Sequence, residues 1–111
     1  MRERAAAAVS LLLAALGRAE AEPAPAALAP ARAAELVHLL RHDCGSCHGL
    51  FLKGGLGPPL SPSALAGKDP QALVLTVLEG RAGTPMPPWK GLLDEAEARF
   101  LVDLLLAGRV P

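Results

Sequence analysis

Large aromatic side chains are nearly missing from this chain: Phe51, Trp89 and Phe100 are the only ones among 111 residues, and there is no tyrosine. A short chain already buries a smaller share of its surface than a long one, so this poverty makes a self-sufficient core marginal. Cysteine is as scarce. Cys44 and Cys47 are the only two, which excludes a disulfide framework and a four-cysteine zinc site. Charge of one sign is not in excess either: eleven basic residues balance eleven acidic ones. Without a basic stripe to meet phosphates, nucleic acid is excluded as a partner. No alternating strand pattern is present, and the glycines form neither G-x-G-x-x-G nor G-K-[ST], so a phosphate cradle is not supported. The longest apolar run, Ala5 to Leu16, has twelve residues broken by Ser10, short of the roughly twenty that cross a bilayer.

What the chain does have is Asp43-Cys44-Gly45-Ser46-Cys47-His48. Two cysteines three positions apart, followed directly by histidine, match the C-x-x-C-H spacing of covalent haem attachment. Each thiol can add to one vinyl group on the same porphyrin edge, and the next residue can bring an imidazole to the iron. Cys44 and Cys47 are thus expected to form thioethers to one haem c, with His48 as proximal ligand. Two other readings compete. A redox-active dithiol belongs to a thioredoxin-like βαβ setting that this sequence lacks. A zinc site would need His38 or His42 as fourth ligand, and both lie cramped on the segment just upstream. They read better as helix-surface histidines than as axial ligands to the far side of a haem.

The amino end has the form of an export signal: Met1-Arg2-Glu3-Arg4, the apolar run, then small residues at Ala19-Glu20-Ala21. Residues 1–21 are expected to be removed on export to the periplasm, with no stable membrane insertion afterwards. Residues 22–30, rich in proline and alanine, read as a linker. Residues 31–111 then form one domain.

Within it, Pro30 suits a first helical turn, and Ala33, Leu36, Val37 and Leu40 recur at helical spacing, which predicts a helix from about Ala31 to Arg41 that stops at the cysteine loop. Residues 49–60 hold too much glycine and proline for a regular element. The backbone at Gly57-Pro58-Pro59 is the leading candidate to accept the other ring N–H of His48 and so orient it, against a plain surface turn. Ser61-Pro62 opens a short turn through Leu65. Asp69-Pro70 opens a helix with Leu73, Val74, Val77 and Leu78 inward, closed by Gly80. Asp94 and Glu97 form a capping box for a last helix, with Leu93, Ala96, Phe100, Leu101, Leu104 and Leu105 on its inner face. Glu95, Arg99 and Asp103 read as solvated i,i+4 charges.

Between these helices lies Arg81-Ala82-Gly83-Thr84-Pro85-Met86-Pro87-Pro88-Trp89-Lys90. With Met1 gone, Met86 is the only thioether left. It sits between prolines, which restrict the backbone before folding, so Met86 is expected as the sixth iron ligand, raising the potential as a His/Met pair does. Trp89 lies against the porphyrin or donates to a propionate, or else packs as an ordinary core residue.

The order of these features over Ala31 to Ala107 resembles a class I cytochrome c. The segments 43–49, 54–58 and 83–89 are similar to the c-55X family of small periplasmic cytochromes, encoded with haem c/haem d nitrite reductase in denitrifying bacteria. The resemblance implies an all-α small cytochrome c fold, three to five helices wrapped around one covalent haem. It also implies a monomeric single-electron carrier for redox partner proteins, nitrite reductase foremost, or alternatively a factor in that reductase's maturation or a carrier for another periplasmic oxidoreductase. With His48 and Met86 both on the iron no position is open to substrate, so the chain is expected not to be an enzyme. One feature departs from the pattern: class I members often carry a glycine and an aromatic where the first helix crosses the last, and here Ala33, Ala34 and leucines stand instead.

Overall fold

The computed structural model describes residues 28–111 together with Gly17; the expected signal peptide and all but the end of the expected linker lie outside the described residues. Every regular element described is helical. Helix α1 (Pro30–Leu39) starts from extended Ala29, which offers no side-chain cap, and has proline in its first turn, where a missing N–H leaves nothing unsatisfied.

The expected stop at the cysteines does not occur. Leu40 and Gly45 both keep right-handed helical backbone, and the Gly45 amide donates to the Leu40 carbonyl five residues back, making Leu40–Cys44 a π-helical turn. Helix α2 (Gly45–His48) follows without a break. Nothing before Gly49 breaks a helix, and the chain leaves it there at φ 93°, a region open to glycine at no steric cost. The C-x-x-C-H segment is therefore the end of a helix rather than a loop.

Helix α3 (Pro62–Leu65) is capped by the Ser61 hydroxyl, which accepts from the Ala64 amide at 3.3 Å. Helix α4 (Pro70–Glu79) is capped by the Asp69 carboxylate, accepting from Ala72 at 3.1 Å, and ends at Gly80 with φ 69°. Helix α5 (Glu95–Ala107) carries the full capping box. Asp94 accepts from the Glu97 amide at 2.8 Å, and Glu97 reaches back to the Asp94 amide at 3.1 Å.

The core has two parts. Leu36, Leu40, Leu52, Leu65, Leu93, Leu101 and Leu105 form one cluster, and Val74, Ala98 and Val102 form a second between α4 and α5. The inner face of α5 is therefore turned from the expected one. Ala98 and Val102 are fully buried, Ala96 is exposed, and Phe100 and Leu104 are only half-buried. The cause is that α5 packs against both α1 and α4, and a small residue such as Ala98 lets two helices approach closely.

Two polar links were not legible as such. Where α1 meets α5, Arg32 pairs with the buried Glu97, binds Glu35 at 2.9 Å and donates to the Leu92 carbonyl at 3.3 Å. Charge and hydrogen bonding stand here in place of the glycine and aromatic of the resemblance. Glu95 and Arg99 are not merely solvated either: Arg99 donates to the Gln71 side-chain oxygen, and Gln71 donates to Glu95 at 3.2 Å, tying α4 to α5.

Candidate haem-attachment site

Helical backbone through Leu40–His48 puts Cys44 and Cys47, three residues apart, on one face of one turn. Both are half-buried free thiols. Burial, with the negative charge of Asp43 adding to it, pushes the Cys44 thiol up to about 11. Redox-active dithiols work through a lowered thiol pKa and a thiolate at neutral pH, so this environment opposes the dithiol reading.

His48 closes the motif, and its ring is held from two sides. Its Nδ1 lies 2.7 Å from the Pro58 carbonyl. A carbonyl oxygen can only accept, so Nδ1 carries the proton and Nε2 keeps a free lone pair. On the other side the ring lies flush against Gly57: a Cβ there would sit 2.8 Å from both Cε1 and Nδ1. The loop that supplies these contacts is tied to the helix end by backbone bonds, Gly57 to the Cys47 carbonyl at 2.7 Å and Gly54 to the His48 carbonyl at 2.8 Å. Gly55 also has no room for a side chain, since its Cβ would fall 2.7 Å from the Cys47 carbonyl oxygen. Leu52, the non-glycine residue with positive φ among those described, turns the chain at φ 58° while burying its side chain in the main core. The backbone cost of that turn, about 1 kcal/mol, is offset by an apolar burial worth roughly 2 kcal/mol.

Met86 and Trp89 sit on a second segment, between α4 and α5. Thr84 organises it: its hydroxyl donates to the Arg81 carbonyl at 2.7 Å and accepts from the Met86 amide at 3.3 Å. The segment returns along the end of α4, with the Trp89 and Lys90 amides donating to Val77 and Leu78 at 3.1 and 3.2 Å. Gly80 permits this, because a Cβ there would lie 2.7 Å from the Met86 carbonyl oxygen and the Pro87–Pro88 backbone. Met86 is half-buried, and Trp89 packs against the main core cluster. Cys44, Cys47, His48 and Pro58 are thus brought together. Met86 and Trp89 lie on a segment that no hydrogen bond among the described residues joins to the first.

The donor set fits a covalent haem. Two thiols share a face, one imidazole has Nδ1 engaged and Nε2 free, and Leu56, next to Gly57 in the chain, stands 92% exposed. A cavity of about 440 Å³ lies elsewhere, lined by Arg41, His42, Leu50, Phe51, Leu52 and the last two residues, and includes none of this donor set. The contact of Gly57 with the imidazole was missed in the sequence; the sole signal was a glycine directly before the proline whose carbonyl orients it.

The chain matches the family described as cytochrome C oxidase, cbb3-type, subunit III, over residues 31–105. Cytochrome c55X of Pseudomonas aeruginosa is 62% identical over 79 residues, which are 71% of this chain and 66% of that protein. Cytochrome c55X of Stutzerimonas stutzeri is 58% identical, over 76% of this chain and 78% of that one. Among solved structures, a c-type cytochrome called NirC superposes with a TM-score of 0.74 at 58% identity, covering 75% of this chain and 98% of its own. The dihydro-heme d1 dehydrogenase of Pseudomonas aeruginosa is 37% identical over 88% of this chain, which matches 17% of that larger protein.

Proposed function

The chain belongs to the c-type cytochromes, among those of the c55X kind, and from that premise we propose that it is an exported, periplasmic single-electron carrier with its iron held between His48 and Met86, serving nitrite reductase in denitrification. The haem c attached through Cys44 and Cys47 supplies a one-electron couple. The observation that carries the reading is the His48 ring, with Nδ1 engaged by Pro58 and Nε2 left as a donor beside two thiols on one helical face.

In this reading each residue has a bounded task. Pro58 and Gly57 keep the imidazole from rotating, so that changing oxidation state requires little movement of the ligand. Thr84 and the flanking prolines hold the Met86 backbone before the sulfur is engaged, and a thioether favours the ferrous state. Trp89, packed against the main core cluster, would lie beside a bound haem, where its indole N–H could donate to a propionate. With His48 and Met86 both holding the iron, no position would be open to a substrate, which would favour transfer over catalysis.

Charge supports a docking surface. Residues 44–92 carry a net +2, and the rest of the mature chain is net acidic. Lys90 is paired with Glu79 at 3.1 Å, which leaves Lys53, Lys68 and Arg81 as the unpaired cations of that stretch among the described residues. A mildly basic stretch of this kind suits brief contact with an acidic partner.

An optical redox titration of purified holoprotein, with its mass measured, tests the core of the proposal. It predicts one added haem, a single one-electron wave and a methionine-to-iron band that added carbon monoxide does not disturb; ready carbon monoxide binding would replace the carrier with a ligand-binding protein. Transfer to the reductase should slow as salt rises. A second reading, a part in completing the reductase's cofactors, is favoured by the similar stretch within dihydro-heme d1 dehydrogenase. Deleting the gene separates the two: a fully loaded but poorly reduced reductase speaks for the carrier, and an incompletely loaded one for the accessory role.

A further inference from the structure

The chain has three histidines. With His48 assigned to the haem site, the other two stand together: the rings of His38 and His42 lie with centroids 4.1 Å apart, tilted by 39°. They are four positions apart on continuous helical backbone, His38 in α1 and His42 in the π-helical turn. Leu36 and Leu40 are buried on the opposite side of the same stretch, at 0% and 1% exposure, so that side is anchored while both imidazoles are exposed. Two histidines one turn apart on a helix are a chelating arrangement for a metal with a taste for imidazole nitrogen. Here the backbone is already helical and the rings already lie side by side, so binding needs only side-chain rotation that turns one nitrogen of each ring toward the metal. π-Helical turns recur at functional sites, and this one begins between the two histidines.

We propose that His38 and His42 form a bidentate surface site for a first-row transition-metal dication, Cu²⁺ ahead of Zn²⁺ by the usual order of affinities. Among the described residues no third histidine, cysteine or carboxylate stands close enough to complete the coordination, and Glu35 on the same helix is held by Arg32 at 2.9 Å. The remaining positions therefore belong to water or to a donor from another molecule. That makes the site exchangeable, unlike a closed structural zinc site with four protein ligands.

The test is calorimetric titration of the ferric holoprotein with Cu²⁺, with electron paramagnetic resonance on the same samples. Wild type should take up one equivalent and show coupling from two imidazole nitrogens. H38Q and H42Q should each weaken binding by roughly tenfold or more, a change of about 1.4 kcal/mol per factor of ten, and the double variant should lose that equivalent. Both side chains are exposed, so the haem spectrum and helicity should be unchanged in all three. Equal uptake by wild type and the double variant, or a copper signal without imidazole nitrogen, overturns the proposal, and neither result bears on the redox reading.

Discussion

The two segments that carry the site residues are held in opposite ways. Around His48 the side chain itself is gripped, by the Pro58 carbonyl at 2.7 Å and by a glycine whose Cβ would collide with the ring. Around Met86 only the backbone is gripped, by Thr84, by Arg81 and by two amides returning to the end of α4, while the side chain has no polar partner. The difference follows from the chemistry of the two donors. An imidazole has a second nitrogen through which a protein can steer it. A thioether has none, so its position is set through the chain on either side. The first segment should therefore be intolerant of added atoms near the ring, and the second intolerant of them only against its backbone, as at Gly80, and otherwise dependent on the sulfur.

The largest effect expected is all-or-none. Replacing Cys44 and Cys47 together by alanine should leave exported protein with no covalent haem, read directly as a missing mass, and with a core deprived of its largest apolar body. Next comes the sulfur. Met86→Ala should lower the midpoint potential by on the order of 100 mV, within the span of about 0.8 V that axial ligands command, and abolish the methionine-to-iron band. An unchanged midpoint would remove Met86 from the iron and with it half of the contrast between the segments.

Added atoms test the other half. Gly57→Ala places a methyl 2.8 Å from the His48 ring, and relieving that overlap should cost about 1–3 kcal/mol of stability and disturb the proximal ligand in resonance Raman spectra. Gly91→Ala, beside the second segment, meets nothing within 4 Å and needs no positive φ; it should change stability by no more than about 1 kcal/mol, if anything upward. Equal costs at the two positions would mean that the cradle is not what fixes the imidazole.

Features carried by local chemistry were legible in the sequence: the Asp69 and Asp94 caps, the stop at Gly80 and the six residues of the motif all depend on neighbours a few positions away. Most of the features that were misread depend on partners far along the chain; the exception is the helix through the cysteines, closed by a bond that spans only five residues. Nothing near Leu40 reveals that its carbonyl takes the Gly45 amide and carries the helix through the cysteines. Arg99 looked solvated because Gln71, which meets it, lies on another helix. The burial of Ala98 in place of Ala96 depends on where α4 sits, which periodicity within α5 does not encode. Within the site the same division holds: the attachment residues are contiguous and readable, whereas the fit of Gly57 to the ring of His48, nine positions before it, is a matter of tertiary contact.

The smallest effect tests whether the scaffold is as finely set as the site. Glu97 serves twice, capping α5 through the Asp94 amide and pairing with Arg32 across to α1. The Arg32 hydrogen bond, then that backbone amide, hold its carboxyl below the usual carboxylate range. Because the folded state lowers this pKa, the stabilisation is complete above the unfolded value of about 4.3 and is lost as pH falls through the folded one. Glu97→Gln keeps the shape and can keep the cap, but removes the charge opposite Arg32, so it should cost about 1 kcal/mol at neutral pH, given that Arg32 is partly solvated. In a domain of this size that shift lowers the melting temperature by roughly 4–8 °C. The gap between wild type and variant should stay constant from neutral pH to about pH 5 and close below that, as wild type loses the same charge by protonation. A gap that persists undiminished well below the folded pKa would assign the contribution of Glu97 to packing and capping, and the joint between the first and last helices would then owe nothing to the ion pair.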